Sequence, residues 1–211
     1  MTGSNTQLPE ILPFVAQGRA ARIGRFLFQS RNFISAPLFL LLLFLFVGEY
    51  EKDVVIWTVG PAVLGAGELL RLWSMRHIGR SARTRKDKAK RLVATGPYAL
   101  IRNPLYVGNH VILVGFCILS ELLWFIPIAL LVCFVFYSFI VRYEEQLLQQ
   151  RLGDEYLQYK NETPRWNPFP ALVAKVDPNW REAFHRERST VYGILAGIVL
   201  FGLKEMLDRL I

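Results

Sequence analysis

The chain has 211 residues, of which 53% are Ala, Val, Ile, Leu, Met, Phe, Trp, Tyr or Cys and 15 more are glycine. About 60% of it therefore falls in a class that fills roughly 45–50% of a soluble domain, which argues against an ordinary soluble core. Lys and Arg number 25 against 17 Asp and Glu, a formal charge of +8, and long apolar runs beside that surplus put a membrane protein ahead of a nucleic-acid binder. Four or five spans of about 20 residues use roughly half the chain, so residues 1–211 form one membrane domain with no separate soluble catalytic domain. Cys117 and Cys133 lie in apolar stretches without CxxC or Cys/His spacing, so neither a disulfide framework nor a metal site is expected.

In chain order, residues 1–18 hold no basic segment followed by an apolar core, and no cleavable signal is expected. Residues 8–31 set Ile11, Leu12, Val15, Ile23, Phe26 and Leu27 among Arg19, Arg22, Arg25 and Arg31. That pattern assigns 1–32 to a basic amphipathic segment at the headgroups. Five apolar segments follow, at 33–48, 54–73, 105–120, 122–141 and 191–207, of which the first and third are short for a span. Arginines precede the first segment, and Arg76, Arg80, Arg83, Arg85, Lys86, Lys88, Lys90 and Arg91 follow the second, so both flanks belong in the cytoplasm. The acidic connection at 49–53 and the Ser120-Glu121 break fit the outer face. Residues 142–190, with Arg151, Lys160, Arg165, Lys175, Arg181, Arg186 and Arg188, return inside.

The predicted fold is thus all-α, a polytopic membrane helical bundle of about five transmembrane helices, N-terminus cytoplasmic and C-terminus outside. Gly60, Gly65, Gly67, Gly193 and Gly197 suit close helix packing within the chain. Glu68, three residues before Arg71, reads as a structural ion pair. The 76–91 run reads as a phospholipid-contacting loop and not a nucleic-acid patch, since no aromatic residue interleaves it.

Two motifs converge at the cytoplasmic ends of the third and fourth segments. The first runs Val93-Ala94-Thr95-Gly96-Pro97-Tyr98-Ala99-Leu100-Ile101-Arg102-Asn103-Pro104-Leu105-Tyr106-Val107-Gly108-Asn109. In it Gly-Pro makes a turn and Pro104 opens a helix at a first-turn position that tolerates it. The second runs Arg142-Tyr143-Glu144-Glu145 and continues through Gly153-Asp154-Glu155-Tyr156 and Tyr159 to Pro164-Arg165-Trp166. Adjacent carboxylates point about a hundred degrees apart on a helix. Glu145 is the stronger site candidate because Arg142, Glu145 and Gln149 share one face at three- and four-residue spacing. Asn109 is a further candidate, whereas His110 reads as a bonded structural histidine one turn into a span.

Over roughly residues 93–168 these motifs resemble the isoprenylcysteine carboxyl methyltransferase and phospholipid methyltransferase superfamily of integral membrane enzymes, in a bacterial-type form. That pattern is a Gly-x-Tyr turn, Arg-His-Pro-x-Tyr-x-Gly, a helical hairpin, a Glu-Glu pair, Gly-x-x-Tyr-x-x-Tyr and a Pro-Arg ending. Asn103 stands where the commoner pattern has His.

The resemblance implies S-adenosylmethionine as methyl donor, held at the cytosolic membrane face without a Rossmann domain, and a lipophilic acceptor entering from the bilayer of a bacterial inner membrane. It implies cofactor binding by Gly96, Tyr98, Arg102, Asn103, Tyr106, Asn109, Glu144 and Glu145, with Arg102, Asn103 and Glu145 as catalytic residues. Glu144 or Glu145 supplies acceptors for the ammonium or hydroxyls, Arg102 a donor for the carboxylate, and Tyr98 and Tyr106 wall the cation or stack adenine. Asn103 either bonds the cofactor or caps the helix opening at Pro104. The acceptor stays open between a lipid amine, a prenyl-cysteine-like carboxylate and another amphiphile, as does oligomeric state. Two other readings stand beside it: an NADPH-dependent enzyme like membrane sterol reductases, and a non-enzymatic protein that binds anionic lipid through its basic loop.

Overall fold

The computed structural model describes residues 16–45, 53–78, 91–166 and 180–208, and among these every regular element is helical. The expectations for 8–15, for most of the acidic connection (49–52), for 79–90 of the basic run and for 167–179 of the returning segment lie outside the described residues. Seven α-helices follow in order: α1 Arg19–Phe44, α2 Asp53–Ile78, α3 Pro97–Leu100, α4 Pro104–Leu119, α5 Ile126–Leu152, α6 Asp154–Glu162 and α7 Trp180–Asp208.

Local chemistry sets the breaks. Pro104 has no N–H to waste at the first turn of α4. That helix closes on Glu121, whose φ of 66° reverses the chain so that the Leu122 N–H donates to the Cys117 carbonyl at 3.1 Å. Gly153, at φ 56°, separates α5 from α6, a left-handed turn that glycine adopts without a Cβ penalty. Asp154 and Glu155 then open α6, where carboxylates suit the helix dipole.

Five helices run between the same two ends of the bundle. At one end Gln17, just before α1, exchanges hydrogen bonds with Gln146 near the end of α5, N–H to Oε1 at 3.2 Å and Nε2 to carbonyl at 3.1 Å. At the same end α2, α4 and α7 meet through Arg71, Asn109 and Glu187. At the other end the buried Lys204 of α7 donates to the carbonyls of Leu45 at 3.3 Å and Ser120 at 3.0 Å, tying α7 to the ends of α1 and α4. Between the ends, α2 packs chiefly on α4 and α1 on α5.

Val54–Ile78, Leu123–Leu152 and Glu187–Leu207 are long and apolar enough to cross a membrane, and α4 is apolar but has 16 residues, about 24 Å of helix. Ile128, Leu131, Val132 and Phe134 on α5 and Leu195, Val199 and Leu203 on α7 are exposed, which a helix surface in water rarely tolerates and one in lipid requires. The protein is an all-helical integral membrane protein.

The expected division near residue 32, between a headgroup helix and a first span, is absent: α1 is one helix from Arg19 to Phe44 that passes through Pro37. Its first half packs on α5, with Ala21 buried against Tyr143 and Gly24 so close to the Phe139 backbone that a Cβ has no room.

The glycines pack within the chain where they matter to the site. Gly67 of α2 and Gly108 of α4 face each other, and a Cβ on either would come within 3.0 Å of the other's carbonyl oxygen. Gly60 and Gly197 lie against Leu119 and Phe116, whereas Gly65 and Gly193 face open space. The Gly67–Gly108 contact sets α2 close enough to α4 for Arg71, one turn further along α2, to reach Asn109 beside Gly108.

Candidate active site

The turn leading into α4 is wedged against the end of α2. Gly96 has φ 58°, and a Cβ there would come within 2.4 Å of the His77 ring. His77 Nδ1 in turn lies 3.1 Å from Thr95 Oγ1. Tyr98 is buried, and its carbonyl accepts a 2.7 Å hydrogen bond from the Tyr159 hydroxyl of α6.

From this turn two polar clusters reach α5. In the first, Glu145 is buried and accepts from Arg102 Nη2 at 3.0 Å and from Arg165 Nε at 3.0 Å, with a second bond from Arg165 to its other oxygen. Arg102 also donates to the carbonyls of Lys160 at 2.6 Å and Thr163 at 2.7 Å, where α6 ends and its last carbonyls lack helical partners. The Arg102 backbone N–H donates to the Pro164 carbonyl at 2.9 Å, and Asn103 Nδ2 to the Arg165 carbonyl at 3.2 Å. The whole cluster pins the segment after α6 across the start of α4.

In the second cluster the Tyr106 hydroxyl donates to Glu144 at 2.8 Å while its ring stacks on Tyr137 with centroids 4.5 Å apart. The Tyr137 hydroxyl accepts from Asn109 Nδ2 at 2.7 Å, and Asn109 Oδ1 accepts from Arg71. Arg71 continues to Glu187 of α7 at 2.6 Å and Thr190 at 3.2 Å, and lies 3.4 Å from Glu68. Glu187 is fully buried. Helices α2, α4, α5 and α7 thus converge on one stacked tyrosine pair edged by a carboxylate. His110, one turn further along α4, donates from Nδ1 to the Tyr106 carbonyl at 2.7 Å and lies beside Tyr137 and Trp166.

Residues 55–155 match the family model for phospholipid methyltransferase. That match, together with the relatives below, is consistent with the isoprenylcysteine carboxyl and phospholipid methyltransferase superfamily. It is 34% identical over 111 residues to the nickel-cobalt-cadmium resistance protein NccN of Alcaligenes xylosoxydans xylosoxydans, covering 53% of this chain and 49% of that protein. It is 29% identical over 131 residues to the protein-S-isoprenylcysteine O-methyltransferase of Saccharomyces cerevisiae, covering 60% and 47%. With the protein-S-isoprenylcysteine O-methyltransferase B of Arabidopsis thaliana it shares 29% identity over 118 residues, covering 52% and 58%. The chain spans about half the length of the curated relatives it matches. No solved structure matches it.

The superfamily motifs assemble at one end of the bundle, but not as one polar stripe. Arg142 and Gln149, on the same side of α5, are exposed while Glu145 is buried between two arginines. Its partners come from outside α5. Asn103 occupies the N-cap position of α4 through its backbone, yet its side chain makes no capping bond; the amide is spent on the Arg165 carbonyl. The Glu68–Arg71 pair forms as expected, but in a larger network. Tyr137 and Glu187 carry no motif signal in the sequence: Tyr137 sits in an apolar run, and Glu187 lies between Arg186 and Arg188 in a stretch that reads as a basic loop.

Outside the spans, Arg165 is held above its ordinary pKa by its hydrogen bond to Glu145. Burial raises the phenols of Tyr156 and Tyr159 on α6 well above theirs. The folded chain therefore keeps two phenolic protons that the unfolded chain releases above about pH 10, and stability falls as pH rises beyond that point. Melting in detergent at about pH 9 and about pH 11 should show this loss, and the Tyr156→Phe/Tyr159→Phe double variant should lose less than the parent over the same interval. Equal slopes would mean that the phenols do not contribute.

Proposed function

We propose that this chain transfers a methyl group from S-adenosylmethionine to a lipophilic acceptor at the cytoplasmic face of the membrane. The observation that carries this reading is the Tyr106–Glu144 hydrogen bond on the Tyr106–Tyr137 stack. A sulfonium with an amino-acid head and a ribose needs a carboxylate for its ammonium or hydroxyls and aromatic faces for its charge, and the second cluster offers both. When bound, the donor supplies an electrophilic methyl carbon.

The chain's own residues align and shield. Glu144 and Asn109 hold polar groups of the donor, and Tyr106 and Tyr137 wall it. Trp166 and Phe134, in ring contact with centroids 5.7 Å apart, keep water from the bilayer side, which suits an in-line displacement whose needs are alignment and dryness. Glu145 acts by position: it fixes Arg102 and Arg165, and Arg102 is spent on two carbonyls and a carboxylate and so braces the site instead of binding the donor's carboxylate. Gly96 and Tyr98 place the turn, and Asn103 fastens it to the Arg165 backbone.

Arg19, Arg22 and Arg25 open α1, and Arg76 closes α2, at the same end as this site. The positive-inside rule puts that end in the cytoplasm, with the end of α7 outside, as in a bacterial inner membrane. The apolar flanks of α5 give a lipid acceptor lateral access. A thermal-shift panel on the detergent-purified protein tests the reading through linkage: S-adenosylhomocysteine should raise the melting temperature and NADPH should not. Stabilisation by NADPH alone favours the reductase reading, and by neither the lipid-binding one.

A further inference from the structure

His110 carries one polar atom that the bundle leaves unanswered. Its Nδ1 lies 2.7 Å from the Tyr106 carbonyl, and because a carbonyl only accepts, Nδ1 must hold the proton and Nε2 must present a lone pair. Nε2 is buried and has no hydrogen-bond partner among the described residues. Around it stand the Tyr137 ring of α5, with centroids 5.4 Å apart, and the Trp166 ring after α6, edge-on at 6.2 Å. A buried acceptor without a donor is costly. This one lies one helical turn beyond Tyr106 on α4, between the carboxylate cluster and the apolar body of the bundle.

We propose that His110 Nε2 accepts a hydrogen bond from the head of the acceptor lipid, so that the site takes a head bearing N–H or O–H in preference to one bearing a carboxylate. A carboxylate is acceptor-only and sets its negative charge against the imidazole lone pair. An N–H or O–H head satisfies Nε2, and the Tyr137 and Trp166 rings favour a positive charge on it. The inference rests on the methyl-transfer reading for the name acceptor, but the preference for the head is a binding property. It narrows the acceptor to an amine or hydroxyl amphiphile, away from a prenyl-cysteine-like carboxylate.

The test uses the full chain in detergent with ring-15N histidine, of which there are three. The ligands are dodecylamine, dodecanol, dodecanoate and dodecyltrimethylammonium, which keeps the positive charge but lacks N–H. Dodecylamine, dodecanol or both should shift the His110 Nε2 resonance, and the tighter of the two identifies the head. Dodecanoate and the quaternary ammonium should leave it in place. His110→Phe should bind the favoured amphiphile about tenfold more weakly, as loss of a buried hydrogen bond implies, while His110→Gln, which keeps a carbonyl acceptor, should recover part of the loss. Equal shifts with dodecanoate or the quaternary ammonium, no shift with any ligand, or unchanged affinity in His110→Phe would overturn the proposal. S-adenosylhomocysteine binding, measured separately on the same samples, fails only if the methyl-transfer reading fails.

Discussion

Glu145→Ala should be the most damaging single substitution at the site. It leaves Arg102, whose side chain is about nine-tenths buried, without its carboxylate, and frees Arg165 from two charge-assisted bonds at once. Removing one partner of a buried pair costs about 3–5 kcal/mol because the survivor stays charged and uncompensated. The expected result is a protein that melts far below the parent in detergent, with the segment around Thr163 and Pro164 opened to proteolysis. Arg165→Ala should cost much less, since that side chain is a third exposed and water replaces part of what is lost. If the two variants melt alike, the cluster is not a brace on the site.

Arg71→Leu should be nearly as severe for a different reason. Arg71 is the cation shared by Glu68 and Glu187, both buried, and it also holds Asn109. Its loss takes the shared cation from two buried carboxylates, at about 3–5 kcal/mol. Neutralising the set together, as Glu68→Gln/Arg71→Leu/Glu187→Gln, should restore most of the stability, because a buried ion pair replaced whole is often neutral. The restored protein should still bind S-adenosylhomocysteine more weakly, since Asn109 no longer has its tether. Full recovery of both properties would make the network purely structural, and no recovery of stability would show that the charges are not its substance.

Much of this fold was legible in the sequence because its signals are local. Apolar runs located α2, α4, α5 and α7, and Gly96-Pro97 and Pro104 marked the turn and the helix start that the structure contains. The meeting of the Gly96–Asn109 segment with Glu144 and Glu145 was legible too, since a hairpin brings the start of its first helix and the end of its second together. The different partners of the two carboxylates were not. Arg102 chooses backbone carbonyls at Lys160 and Thr163, and carbonyls have no letter in a sequence. Glu187 meets Arg71 across 116 positions, a pairing that only the packing of α7 on α2 creates. The continuity of α1 was hidden for a like reason: arginines at its start read as headgroup residues until the burial of Ala21 and Gly24 against α5 is seen.

The central claim is that the Glu144–Tyr106–Tyr137 cluster holds the methyl donor while Glu145 holds the scaffold. Titration calorimetry of S-adenosylhomocysteine on the parent, Glu144→Gln and Glu145→Gln tests it most directly, with melting temperatures measured on the same samples. Glu144→Gln should melt close to the parent and lose about 1.5–3 kcal/mol of affinity, the worth of a hydrogen bond to a charged group. Glu145→Gln should lose stability first, and affinity only as far as the fold loosens. Unchanged affinity in Glu144→Gln, with the fold intact, would contradict the account.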